Sequence, residues 1–253
     1  MSGPDGRTAA RGPGRFAGSR ATPPAQHHHA DVSGGWLRPA VFGAMDGLVT
    51  NIGLIAGVGG GGVSARAIVI TGTAGLIAGA VSMGLGEYTS VRTQTEQVAA
   101  EVAKERYELE HNPAVEVEEL AQLWIGRGLP ERLAREVAAV VHTNPDEALR
   151  VHAREELGVD PDDQPSPWTA AFSSFACFSI GALIPLLPYL LGFDILWVAL
   201  AAGGVGLFLA GALSSRFTRQ AWWSSGLRQL ALGGAAAGVT YGIGRLIGGG
   251  TGA

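Results

Sequence analysis

Residues 67–111 read AIVITGTAGLIAGAVSMGLGEYTSVRTQTEQVAAEVAKERYELEH, and this stretch decides the fold. Its first part, 67–91, carries a single charged side chain, Glu87, and exceeds the roughly 20 apolar residues that a helix needs to cross a bilayer. Between Tyr88 and Asn112 there is neither Gly nor Pro, so the same helix is expected to leave the membrane, project beyond it and stop before Pro113. Four further stretches have spanning length: 39–63, with only Asp46 charged; 168–191 and 195–215, with no charge; and 229–250, short and Gly-rich, with Arg245 near its far end where it can snorkel. The composition agrees, since 47% of the 253 residues are hydrophobic and 16% are charged, against about 25% charged in ordinary globular domains. The expected architecture is an all-α membrane protein: five transmembrane helices with a helical domain inserted between spans two and three. Its parts are a tail over 1–35 too polar and Gly/Pro-rich to fold, spans over 36–92, the inserted domain over 93–166 and spans over 167–253. No apolar stretch with a small-residue cleavage site precedes the first span, so a cleaved signal peptide is not expected.

The net charge of -4 is unevenly placed. Residues 92–163 hold 17 acidic and 8 basic side chains, an acidic island in a chain otherwise net basic. Arg38, Arg92, Arg216, Arg219 and Arg228 flank the spans on one side and Arg66 and Arg245 on the other, which puts the N-terminus and the island in the cytosol and the C-terminus outside. Within the island, helices are expected at 114–127, 130–142 and 144–157, the last opened by Asn144-Pro145 and closed by Gly158.

Two groups of residues carry chemistry. An ionisable residue inside a span costs about 2.5–3.5 kcal/mol at the helix centre, so Asp46 and Glu87 are functional candidates. At 1.5 Å per residue Asp46 lies about 10 Å, and Met83 about 12 Å, from the cytosolic end of its span, so both can sit at one level. Glu87 is one turn from Met83 on the same face. Carboxylates beside a thioether suit a borderline divalent ion such as ferrous iron better than calcium or magnesium. The competing reading has the two acids bonded to neighbouring helices and Met83 filling core. In the island, Glu105 and Glu108 are three apart, as are Glu116 and Glu119, and His152 shares a helix face with Glu155 and Glu156. Carboxylates plus one imidazole suit ferrous iron or manganese. Glu runs are also common as solvated faces, and Glu110, Glu118, Glu131 and Glu136 offer equal charge, so spacing does not choose among them. The lone Cys177 excludes an intramolecular disulfide and any Cys-built zinc or iron–sulfur site in one chain. Residues 57–62, GVGGGG, satisfy GxGxxG but follow a span rather than a strand, which excludes a dinucleotide site. No Ser-His-Asp order, Walker loop or basic aromatic surface supports an enzyme or a nucleic-acid partner. Glycines at 43 and 47 and at 53, 57 and 61 give the first span small faces for close helix contact, with other spans or with a second copy.

GAMDGLVTNIGLIAGV (43–58), AGAVSMGLGEYTSVRTQTE (78–96), LRVHAREELGVDP (149–161), SPWTAAFSSFACFSIGALIPLLPY (166–189) and GGAAAGVTYGIGRLIG (233–248) together resemble the vacuolar iron transporter family in its bacterial form. The resemblance implies a homodimer of five-span protomers in the bacterial cytoplasmic membrane. It implies an ion path lined by the first two spans and a cytosolic carboxylate-rich domain that collects metal. The activity it implies is proton-coupled export of ferrous iron, often also manganese, as a transported ion rather than a permanently bound cofactor. Position by position, Asp46 and Met83 match the family's transmembrane metal residues and Glu105, Glu108, Glu116, Glu119 and Glu156 its domain ligands, while His152 stands where the family has methionine. Pro39 and Gly75 stand where plant relatives have acids, and Glu87 where they have Gly, which removes carboxylates that proton coupling would use. The alternative function is a non-transporting membrane protein that senses or buffers metal, a role with no use for a costly Asp46.

Overall fold

The computed structural model of the protein describes residues 35–218 and 220–249. The tail expected over 1–35 (Gly35 apart), Arg219 and the last residues of the chain fall outside them. The described residues form helices and no strand: α1 (Leu37–Gly60), α2 (Ala65–His111), α3 (Pro113–Gly126), α4 (Glu131–Val141), α5 (Pro145–Glu155), α6 (Pro167–Leu190), α7 (Leu196–Thr218) and α8 (Trp222–Gly249). Five of these, α1, α2, α6, α7 and α8, are long and apolar enough to cross a membrane.

Helix α2 starts where the Ser64 hydroxyl accepts the Ala67 N–H, and it runs unbroken for 47 residues, about 70 Å at the α-helical rise. Its first half packs on α6 and α1; its second half carries the inserted helices α3–α5. Helix α1 is the centre of the bundle, touching α6, α8, α2 and α7. The α1–α6 contact is backbone on backbone, because a Cβ on Gly47 would collide with the Phe178 carbonyl and one on Gly181 with the Ala44 carbonyl. Farther along α1, Gly57 and Gly61 meet Gly244 and Gly248 of α8 in the same way. These glycines therefore serve contacts inside the protomer. Asn51, 1% exposed, fastens α1 to α6 by donating from Nδ2 to the Ala182 carbonyl at 2.5 Å.

Large apolar side chains point outward along the spans, among them Ile70, Ile77 and Leu85 of α2, Phe172 and Ile180 of α6 and Leu246 and Ile247 of α8. A surface of this kind is stable only against lipid, which makes the chain an integral membrane protein. Helix α6 runs through Pro185 and Pro188 without interruption. The fifth span begins earlier than its hydropathy predicts, at Trp222 rather than 229. Ser224, Ser225 and Arg228 dilute the apolar signal there, while Gly226 packs against Phe208 of α7 and Gly211 against the Ser225 carbonyl. In the inserted segment, Leu120, Ala121 and Ala138 form a small core backed by Trp124, Val141 and Val151. Helix α5 opens as predicted, with Asn144 Oδ1 accepting from the N–H groups of Asp146 and Glu147. It ends at Glu155, two residues short of the predicted boundary and ahead of the left-handed Gly158 (φ 66°).

Candidate metal centre in the inserted helices

The projecting half of α2 presents Glu105, the first turn of α3 presents Glu116, and the end of α5 presents His152 and its cap Glu156. One donor atom from each lies within 4.8 Å of all the others. An ion with donors at about 2.1 Å places them about 3 Å apart when adjacent and about 4.2 Å apart when opposite, so the set, spread over up to 4.8 Å, is slightly wider than one such coordination sphere. His152 is fully buried, and its Nδ1 lies 2.7 Å from Glu156 Oε1, 2.9 Å from Glu105 Oε1 and 3.6 Å from Glu116 Oε2. Glu105 Oε1 is a buried oxygen with no hydrogen bond. Three carboxyl groups and an imidazole converge here with no Arg or Lys partner among the described residues.

Electrostatics follow from that arrangement. Burial, then the neighbouring Glu116, Glu119 and Glu108, push the Glu105 carboxyl up to about 7. Burial and then Glu105 push Glu156 to about 7 as well, and Glu116 is raised chiefly by burial. Burial, with a smaller effect of His142, brings the His152 imidazole down to about 4. At neutral pH the site thus holds a neutral imidazole and carboxyl groups poised to exchange protons for a cation.

Several of the other island carboxylates have arginine partners. Glu118 and Glu131 are held by Arg135, Glu136 by Arg132 and Glu147 by Arg150. The Arg135 guanidinium keeps the Glu118 carboxyl well below the usual carboxylate range. Glu110 is exposed. Of the residues predicted from spacing, Glu108 and Glu119 stand beside the cluster and raise Glu105, with Glu108 also accepting from Asn112 Nδ2 at 2.7 Å. Glu155 is the exception: it pairs with Arg127 instead, while Glu156, about 100° farther round the helix, closes on His152. His142, which spacing does not single out because it lies on a different helix, approaches His152 edge-on with Nε2 to Nε2 at 3.2 Å.

The transmembrane residues are separate from this centre. Glu87 and Glu105 are 18 positions apart on α2, about 27 Å along the helix. Asp46 is half-buried and accepts from the Thr50 hydroxyl, one turn on, at 3.3 Å. Met83 is half-buried against the Ala80–Phe178–Ala182 cluster, and Glu87 is half-buried one turn farther along α2. Met45, beside Asp46, accepts a hydrogen bond on its sulfur from Gln229 of α8. The position of Gly75 is occupied from the α1 side by Leu54, with Asn51 Oδ1 3.6 Å from where a Cβ would stand. That amide oxygen is buried and unpartnered.

The sequence profile of the VIT family matches residues 37–245. A vacuolar iron transporter of Acanthamoeba castellanii is 38% identical over 199 residues, covering 74% of this chain and 72% of that protein. Vacuolar iron transporter 1 of Oryza sativa subsp. japonica is 28% identical over 234 residues, covering 90% and 93%. Vacuolar iron transporter 1 of Arabidopsis thaliana is 29% identical over 197 residues, covering 76% and 79%.

Proposed function

Since the chain belongs to the VIT family, we propose that it is a transporter, not an enzyme, that carries ferrous iron or manganese out of the cytosol in exchange for protons. The observation that carries this reading is the convergence of Glu105, Glu116, His152 and Glu156 without a basic partner, while Glu118, Glu131, Glu136 and Glu147 elsewhere in the inserted helices are paired with arginine. Carboxylate oxygens with one imidazole nitrogen favour ferrous iron or manganese over calcium, which takes oxygen-only shells. The inserted helices face the cytosol of a bacterial cell and capture the ion. Glu108 and Glu119 add negative potential at the mouth of the site.

Capture and passage are different tasks at different depths. Arrival of a divalent ion displaces the protons on Glu105 and Glu156, so capture is itself a metal-for-proton exchange. Passage runs past Asp46, the only ionised type of side chain in α1's membrane stretch, with Met83 supplying a thioether and Glu87 a carboxylate nearer the cytosol. A homodimer in which α1 and α2 line a shared path completes the reading. Its test is uptake of ferrous iron and manganese by proteoliposomes with and without a pH gradient. The expected result is saturable uptake that the gradient accelerates. Metal binding with no flux of either ion would instead make the protein a membrane-bound buffer.

A further inference from the structure

At the membrane rim from which α2 projects, the start of α1 and the end of α7 part around a cavity of about 260 Å³ backed by α6. Trp36, Val41 and Met45 line it from α1, Cys177 from α6, and Ala210 and Leu213 from α7. Trp36 and Leu213 stand at its mouth, 51% and 63% exposed. From Leu37 to Met45 the cavity follows α1 for eight residues, about 12 Å, close to the roughly 15 Å of hydrocarbon in one leaflet. Two cations stand over the mouth. Arg38 lies one turn from Val41 toward the rim, on the same face of α1, and Arg216 lies one turn from Leu213 toward the rim, on the same face of α7. Both are exposed, and neither has an acidic partner among the described residues. In the inserted segment, by contrast, Arg127, Arg135 and Arg150 are each bound to a carboxylate.

A cavity left empty forfeits dispersion contacts along its walls, so in a bilayer it fills. Tail contacts alone do not choose the occupant, because the surrounding lipid is as apolar as the lining. The charge at the mouth does: two guanidinium groups without carboxylate partners match a phosphate, which accepts paired N–H bonds from arginine. A zwitterionic headgroup would bring a further cation to the same rim. We propose that the α1–α6–α7 cavity is a binding site for one anionic phospholipid, with an acyl chain lying along α1 down to Met45 and the headgroup phosphate held by Arg38 and Arg216. The aromatic groove between α2 and α6, lined by Tyr88 and Trp168, lacks such a mouth, since Arg92, one turn from Tyr88, is bound to Glu96. Position gives the lipid a consequence. Met45, at the inner end of the cavity, accepts from Gln229 of α8 and immediately precedes Asp46. The bound chain therefore braces the turn of α1 that carries Asp46. This site stands whether or not the inserted helices capture metal.

The test uses the full-length protein in detergent, and its single cysteine, Cys177, reports on the cavity. Native mass spectrometry follows the binding of dioleoyl phosphatidylglycerol and dioleoyl phosphatidylcholine, which share their tails. One phosphatidylglycerol per protomer is expected to bind about 10–30-fold more tightly than phosphatidylcholine, the effect of two arginines near a charged headgroup. It is also expected to slow maleimide alkylation of Cys177 at a concentration where phosphatidylcholine does not. Arg38→Gln combined with Arg216→Gln is expected to remove the preference and the protection together; a double variant that keeps both overturns the assignment of the phosphate. Three wild-type results overturn the proposal whether or not that variant folds. Equal affinity for the two lipids makes the occupant ordinary solvating lipid. A preference for phosphatidylglycerol that leaves Cys177 unprotected places the anionic lipid elsewhere on the rim. A Cys177 that resists alkylation in lipid-free detergent shows the cavity covered by protein, a second copy or another part of this chain.

Discussion

Glu118 and Glu119 are neighbours in sequence with opposite circumstances: one is neutralised by Arg135, the other adds its charge to Glu105 across the metal centre. The same division separates Glu155, bound to Arg127, from Glu156, bound to His152. At this scale the pH behaviour of the metal-free protein follows. Glu105 and Glu156 have carboxyl pKa values raised from 4.5 to about 7, so the stability their protonation supplies is complete below pH 4.5 and lost as pH rises through 7. His152, lowered from 6.5 to about 4, works the other way, its contribution being lost as pH falls from 6.5 through 4. With Glu116, also raised by burial, three carboxyl groups oppose one imidazole below pH 6.5, and above it the acids act alone. Protection of α3–α5 in hydrogen exchange of the full-length protein is therefore expected to fall between pH 6.5 and 7.5. Saturating manganese should restore it, because the ion binds only the folded site. Protection that rises over this interval would mean the carboxyl groups are already ionised at pH 6.5. In the membrane, Asp46→Asn keeps the shape and removes the charge, and it is expected to abolish ferrous iron and manganese flux while the protein elutes and melts as wild type. Met83→Leu conserves volume, with a stability cost below about 1.5 kcal/mol, and its expected effect is a changed ratio of iron to manganese flux.

At the scale of elements, the closest approaches are made by glycine, and they are unequal in what they tolerate. Gly47 and Gly181 lie where α1 and α6 touch through backbone, so a methyl group at either would meet a carbonyl oxygen that has no flexible end to move. Gly47→Ala is expected to lower the unfolding free energy in detergent by about 1–3 kcal/mol, the usual cost of overpacking. Gly234→Ala on α8 is the matched control: nothing lies within 4 Å of its would-be Cβ, and alanine is the better helix former. Its melting temperature is expected to equal or exceed that of wild type. Equal losses for both variants would show that backbone freedom, rather than the α1–α6 contact, makes glycine necessary. The polar counterpart of these contacts is Asn51, which bonds α6 through its nitrogen and leaves its oxygen facing Gly72 and Gly75 of α2.

For the whole molecule, the single 47-residue α2 joins the two proposed sites and holds them apart, with about 27 Å between Glu87 and Glu105. Defects at the two ends should accordingly separate. Converting Glu105, Glu116 and Glu156 to Gln is expected to raise the metal concentration for half-maximal transport by at least 10-fold while leaving the maximal rate within about 2-fold, since an ion reaching Asp46 directly still passes. Asp46→Asn removes transport at every concentration and leaves metal binding intact. Equal loss of maximal rate in both variants would make the inserted helices part of the path and end the division into capture and passage.

The spans, the long α2 and the capped start of α5 were readable from the residues themselves, because hydrophobic length, absence of Gly and Pro, and an Asn-Pro cap act within one or two turns of chain. The early start of α8 at Trp222 was not, since serines and an arginine hide a segment that contacts with Phe208 and Gly211 hold in place. The choice among the island's 17 acidic side chains was likewise beyond local pattern: every pair at three- or four-residue spacing offers the same face. Only the packing of α2, α3 and α5 decided that Glu105, Glu116, His152 and Glu156 meet, and only the α4 terminus brought His142 behind them. The reason is physical: an arginine's reach and the depth of burial set each carboxyl's charge, and both depend on residues far apart in the chain.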